Sequence, residues 1–147
     1  MRRVPLHQLD PDLPVPAYAT PGDAGADLRA RTGAHLPCGG GRALVPTGVA
    51  VAIPPGFAGL VLPRSGLALR HGITCLNSPG LIDSGYRGEL GVVLVNLDPA
   101  QDYEVTRGDR IAQLVIVAVE EAAFALVTQD GLGPAARGGG GFGHTGT

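Results

Sequence analysis

The residues best placed to do chemistry lie between Asn77 and Glu89, in the run N-S-P-G-L-I-D-S-G-Y-R-G-E. An acid, Asp83, directly follows two apolar residues, Leu81 and Ile82, and an aromatic residue, Tyr86, comes three positions later. A carboxylate can take a proton at neutral pH, and a ring offers a stacking surface. Pro79, Gly80, Gly85 and Gly88 favour tight turns, so the run is expected to fold as a short hairpin that lets its backbone approach something closely. Leu90 to Asn96, rich in Val and Leu, reads as a strand. Acid and ring on one small hairpin imply a pocket for a nucleotide.

A second group follows the apolar run Phe57 to Leu62, which reads as a strand broken by Pro63-Arg-Ser-Gly66. Ser65 is a good N-cap residue, and Leu67 to His71 can make one or two helical turns before Gly72 stops them. An Arg fork, a hydroxyl and free backbone N–H groups at one strand end make an anion site, although an Arg and a Ser in such a place are commonly just solvated. Asp23 and Asp27 sit in the Gly/Ala-rich run before Leu28 and Ala30, where they are either turn formers or groups set for close approach. Gln113 interrupts the most apolar strand, Ile111 to Val119, and must reach solvent or find a hydrogen-bond partner.

These residues need a scaffold, and the chain implies an all-β one. At 147 residues it fits one domain. Gly and Pro, at 24 and 13, punctuate short apolar runs. Val49, Val51 and Ile53 alternate with alanines as a half-buried strand ended by Pro54-Pro55-Gly56; Ala43 to Val45 and Tyr103 to Val105 are further strands. Met1 to Tyr18 is Pro-rich and places no more than an edge strand. Glu120 to Val127 closes the folded part, with Phe124, Leu126 and Val127 as packing residues. Domain 1–130 is followed by an arm, 131–147, whose Gly-rich end cannot fold alone. Arg137 and Phe142 among those glycines suit a tail that closes over phosphates and stacks on a base.

Two cysteines, Cys38 and Cys75, make no disulfide framework, which favours a reducing compartment, the cytoplasm. No run is long enough for a membrane span, and Pro5, Asp10 and Pro11 stand where a signal peptide needs an apolar core. A net charge of -2 gives no reason to expect a nucleic-acid partner. All eleven basic side chains are Arg. No heptads, repeats or metal-ligand Cys/His spacing occur.

Five stretches in order, Ala24 to Ala30, Pro63 to Gly66, Asn77 to Glu89, Arg107 to Gln113 and Arg137 to Gly146, closely resemble the motifs of the trimeric deoxyuridine triphosphatases, the dUTPases. The resemblance runs from about residue 15 to the C-terminus. It implies a distorted jelly-roll subunit with at most one short helix, a homotrimer with shared active sites, and Mg²⁺-dependent hydrolysis of dUTP to dUMP and pyrophosphate. That reaction keeps uracil out of DNA and supplies dUMP for dTTP synthesis.

Carried over by position, Asp83 resembles the general base for the attacking water. Asn77 and the backbone of Gly80, Leu81 and Ile82 resemble the reader of the uracil edge, and Tyr86 the residue packed under the deoxyribose. Arg64, Ser65, Gly66 and Gln113 resemble the phosphate set, and Asp27 the residue that holds a magnesium ion through its water. Arg137, Phe142 and Gly143 belong to the closing arm. His144 stands where the family usually carries Ser, so an imidazole replaces a hydroxyl donor, and contact with the γ-phosphate would make KM depend on pH near neutrality. Two rivals are a dCTP deaminase of the same fold, which needs a Glu where this chain has Val93, and a nucleotide sensor without turnover.

Overall fold

Eleven short antiparallel strands and one helix make up the computed structural model, which describes residues 3–136 and 138–140. The strands are β1 (Leu6–Gln8), β2 (Ala26–Arg29), β3 (Ala34–Leu36), β4 (Arg42–Pro46), β5 (Val49–Val51) and β6 (Phe57–Leu62). Helix α1 (Ser65–His71) follows, then β7 (Ile73–Cys75), β8 (Gly80–Ile82), β9 (Gly91–Asn96), β10 (Tyr103–Val105) and β11 (Arg110–Ala118). A single 3-10 turn spans Asp130–Leu132.

Two sheets carry the body, one in the order β2-β11-β6-β8 and one in the order β4-β9-β7; β1 pairs with β5 and β10 with β3. Leu28, Val61, Ile111 and Leu114 of the first sheet meet Val45, Ile73, Cys75, Val92 and Leu94 of the second in one buried cluster. Each of these fully buried side chains contributes roughly 1.5–3 kcal/mol relative to exposure. The result is the expected distorted jelly roll, open along its edges rather than a closed barrel.

Several expectations are corrected. Asn77 to Glu89 is not a self-paired hairpin: β8 pairs with β6, whereas β9 pairs with β4 and β7, so the segment crosses between sheets. Strand β5 is buried at all three positions, Ala50 included, and β1 pairs along its edge. Ser65 begins α1 instead of capping it; the cap position belongs to Arg64, in extended conformation and without a side-chain cap bond. The helix ends as expected at Gly72, whose positive φ of 65° suits the left-handed cap. Beyond Ala118 no strand forms before the 3-10 turn, and Phe124 and Leu126, expected to pack, are fully exposed.

Two polar residues, Thr47 and Asn96, are buried among the described residues, and both are hydrogen-bonded. Asn96, completely buried, donates to the carbonyls of Leu36 (3.0 Å) and Gln101 (2.8 Å) and accepts from the amide of Asp98 (2.9 Å). It fastens the end of β9 to the loop that leads to β10.

Candidate active site

Leu62 in β6 ends opposite Gln113 in β11, and Gln113 lies opposite Asp27 in β2, so one row across the sheet carries three cleft residues or their neighbours. Immediately past Leu62 the chain turns through Pro63 and Arg64 into α1. Asp27, Arg64, Ser65, Gly66, Arg110 and Gln113, with residues 19 and 23–25, line a polar cleft of about 320 Å³. The structure thus brings together the whole predicted phosphate set except the arm.

Within this cleft Asp27 bridges two guanidinium groups. Its Oδ1 lies 3.4 Å from Arg64 Nε, and its Oδ2 3.2 Å from Arg110 Nη1. Arg64 Nη1 also donates to the carbonyl of Arg110 at 3.1 Å. Gln113 Nε2 donates to the carbonyl of Pro63 at 3.1 Å, so the amide inside the apolar strand has its partner and fixes the turn ahead of Arg64. Gly25 is small of necessity, because a Cβ there would come within 2.6 Å of Gln113 Oε1. Asp23 takes the turn-forming role: its carboxylate accepts from the Thr20 amide (2.8 Å) and hydroxyl (2.7 Å), and these bonds hold its pKa below the usual carboxylate value.

Arg110 was not singled out in the sequence, and its place depends on a feature that alternation hides. The register of β11 against β2 shifts between Arg110 and Ala112, and both Ile111 and Ala112 are buried. The extra residue of this bulge turns Arg110 to the same face as Gln113, where strict alternation would put them on opposite faces.

The second predicted group lies elsewhere. Strand β8 is the last of its sheet, so among the described residues its outer edge offers backbone N–H and C=O groups at Gly80 to Ile82 to a ligand. Asn77 lies beside it: a Cβ on Gly80 would come within 3.3 Å of Asn77 Nδ2. Asp83 and Tyr86 form a tight turn, with the Tyr86 amide donating to the Asp83 carbonyl at 3.1 Å. Leu81, Ile82, Asp83 and Tyr86 line a depression of about 250 Å³ together with Leu44, Glu89 and Gly91. Leu44, from β4 and largely exposed, lies directly over Gly91 and is a wall that the motif pattern did not contain. Tyr86 Oη donates to the Glu89 carbonyl at 2.9 Å.

The two groups are far apart in one chain. Asp83 follows Ile82, which pairs with Gly59, so it stands level with Ala58 and Val117, four positions along β11 from Gln113 and three strands across from Asp27. At about 3.3 Å per residue and about 4.8 Å per strand, Asp83 and Asp27 are roughly 20 Å apart. Arg137, Phe142, Gly143 and His144 lie outside the described residues.

Among the described residues no group of three or more His, Cys, Asp or Glu is arranged to hold a metal ion by itself. No helix among them is long and apolar enough to cross a membrane.

Fold and cleft together define a jelly-roll protein with a polar cleft, lined by arginine and aspartate, at the end of a central strand. The dUTPase family model matches residues 12–146. The chain is 58% identical over 144 residues to the deoxyuridine 5'-triphosphate nucleotidohydrolase of Thermobifida fusca, covering 98% of this chain and 79% of that one. It is 54% identical over 141 residues to the enzyme of the same name from Streptomyces coelicolor, covering 96% and 75%. Among solved structures, the dUTPase of Staphylococcus bacteriophage 80alpha with dUPNHPP superposes with a TM-score of 0.90 at 26% identity over the whole of both chains. A mutant dUTPase from phage phi11 of S. aureus, in which a structural Mg(II) ion is coordinated, gives 0.77 at 26% identity over 86% of this chain and 97% of that one. The chain belongs to the dUTPase family.

Proposed function

We propose that the protein hydrolyses dUTP to dUMP and pyrophosphate, in an active site assembled from Asp83 and Tyr86 of one subunit and the Asp27, Arg64, Arg110 and Gln113 cleft of another. The observation that carries this reading is the separation of the two groups by roughly 20 Å within one chain, inside one continuous family match. Family membership supports the reaction, the separation supports a site shared between subunits, and the homotrimer is the assembly that the family resemblance implies. Residues 131–147 are assigned as an arm of a further subunit, with Arg137 meeting the γ-phosphate and Phe142 and Gly143 covering the uracil; residues 1–130 form the body.

Asp83 accepts a proton from water, whose oxygen attacks the α-phosphorus while pyrophosphate leaves. The outer edge of β8 and Asn77 read uracil, which presents an acceptor, a donor and an acceptor. Tyr86 packs under the deoxyribose and leaves no space for a 2′-hydroxyl. Negative charge grows on the α-phosphoryl oxygens and on the leaving group, where Arg64, the Ser65 and Gly66 amides and Gln113 supply donors. The Ser65 and Gly66 amides are in the first helical turn, where no earlier carbonyl of the helix accepts them.

The cleft holds two Asp and two Arg and is formally neutral, so a triphosphate requires a further cation there. A single partly exposed carboxylate, Asp27, fits a Mg²⁺ ion that keeps most of its water, and Asp27 is the residue that would hold it. When bound with the triphosphate, that ion neutralises phosphoryl oxygens. Two free thiols suit a cytoplasmic setting.

The test is pyrophosphate release from dUTP, with and without Mg²⁺, by the native chain and by Asp83→Ala. Release that depends on Mg²⁺ and falls by about 10²-fold or more in the variant is expected. Equal rates remove Asp83 from its role, and ammonia release from dCTP favours the deaminase, although Val93 cannot shuttle the protons that reaction needs.

A further inference from the structure

We infer that Arg70 is a further phosphate-binding residue of the cleft, meeting the pyrophosphate end of the nucleotide beside Gly66. The inference deepens the reading of that cleft as the triphosphate site and rests on it.

Arg70 lies in the last turn of α1, four residues after Gly66. Four residues make about one helical turn, so the two positions share a face of the helix. A long side chain on a helix leans back over the preceding turn, and the residue beneath decides what it meets. Here that residue has no side chain. A Cβ on Gly66 would come within 2.9 Å of Arg70 Nη2 and 3.4 Å of both Cζ and Nη1, so the guanidinium fork lies over the bare backbone of Gly66. Gly66 in turn lines the cleft with Arg64 and Gln113. A phosphoryl group that reaches Gly66 from the cleft thus stands within a side-chain rotation of the fork.

The balance of charge points the same way. Arg64 and Arg110 face Asp27, Arg31 faces Asp10 and Glu89, and Arg107 faces Asp10. Arg70 is exposed and, among the described residues, forms no ion pair. Its charge and that of Arg64 both act on the phenol of Tyr103 in β10, so the two cations gather around one ring. That ring is held against His71, with centroids 5.0 Å apart. Asp109 acts on the same phenol, but its carboxylate is engaged by the Thr106 amide at 2.8 Å. Two guanidinium groups around one ring, one of them without an acid of its own, favour an anion between them. The lining of the cleft is formally neutral, and Arg70 adds a positive charge beside it. A merely solvated surface arginine would contribute nothing to anion affinity.

The experiment measures binding of inorganic pyrophosphate in EDTA by titration calorimetry, at low and at physiological ionic strength. The native chain is compared with Arg70→Gln, Arg70→Met, Arg70→Lys and Arg64→Gln, with a melting temperature for each. Expected is a loss of about tenfold for Arg70→Gln and Arg70→Met, together with a weaker dependence of affinity on salt. Arg70→Lys, which keeps the charge and loses the fork, loses less. Melting temperatures of these three stay near that of the native chain, because the side chain is exposed. Native affinity in Arg70→Gln and Arg70→Met, with weakened binding in Arg64→Gln, overturns the inference and leaves the cleft as the phosphate site. Native affinity in Arg64→Gln overturns the cleft reading itself and the inference with it. Should one of the two neutral variants fail to fold, the other decides by the same comparison.

Discussion

Arg64 Nε lies 3.4 Å from Asp27 Oδ1, on the same carboxylate whose other oxygen faces Arg110. The two arginines of the cleft are thus paired with an acid of their own chain. The acid keeps two like charges close together and also competes with the anion they are to bind. Exposed ion pairs of this kind contribute about 0.2–1 kcal/mol each. Asp27→Asn is therefore expected to strengthen binding of inorganic pyrophosphate in EDTA by about threefold to tenfold, while lowering Mg²⁺-supported turnover of dUTP. Titration calorimetry reads the first and pyrophosphate release the second; weaker binding in EDTA would mean that Asp27 orients the arginines rather than competing for them.

The distance between Asp83 and the arginine cleft makes a prediction about complementation. Asp83→Ala and Arg64→Ala are each expected to be nearly inactive. After unfolding and refolding together in equal amounts, a site that draws Asp83 from one subunit and Arg64 from another recovers about a quarter of native activity, since half the chains carry each intact residue and assembly is symmetric. Activity assays on the mixed refolded material check this. No recovery, with mixed oligomers present by mass, would place both residues of each site in one subunit.

How much of this was legible in the sequence depends on whether a feature is local. The Pro63 to Gly66 break, the strand before it and the stop at Gly72 follow from residue types within a few positions, and the structure agrees. The pairing of β8 does not, because nothing in Gly80 to Ile82 says whether it joins β6 or folds back on β9, and the expected hairpin was wrong for that reason. Arg110 was hidden by a bulge that reverses alternation. Leu44 looked like any strand residue. Phe124 and Leu126 looked like core and are exposed in the single chain, since apolar character alone does not say where a side chain is buried.

Asn96 sets a stability prediction. Replacing it by Leu keeps the volume and removes three hydrogen bonds, leaving the carbonyls of Leu36 and Gln101 and the amide of Asp98 without that partner. Buried groups left unsatisfied cost about 1–3 kcal/mol each, although relaxation of the Asp98 loop toward water recovers part of this. Asn96→Leu is expected to lose roughly 2–4 kcal/mol in urea unfolding. A loss under about 1 kcal/mol would mean that the loop from Leu97 to Gln101 is held by its own turn bonds. Those bonds run from the Ala100 and Gln101 amides to Asp98.

Cys75 gives a prediction in pH. Its side chain is buried in the apolar cluster, and that burial pushes the thiol up to about 11 from an ordinary value of 9.0. The folded state thus holds the proton where the unfolded state has released it. The sign follows: the contribution is fully present below pH 9 and is lost as pH rises through about 11, because the unfolded chain binds fewer protons in that window. That rise corresponds to roughly 3 kcal/mol at most. Urea midpoints measured from pH 8 to 11 are expected to fall, and Cys75→Ala, less stable throughout, is expected to fall less steeply by one proton. The same burial keeps Cys75 unreactive toward a thiol reagent at pH 8 until the protein unfolds. Equal alkaline slopes in the two proteins would assign the loss to other groups and leave the buried thiol silent in the stability profile.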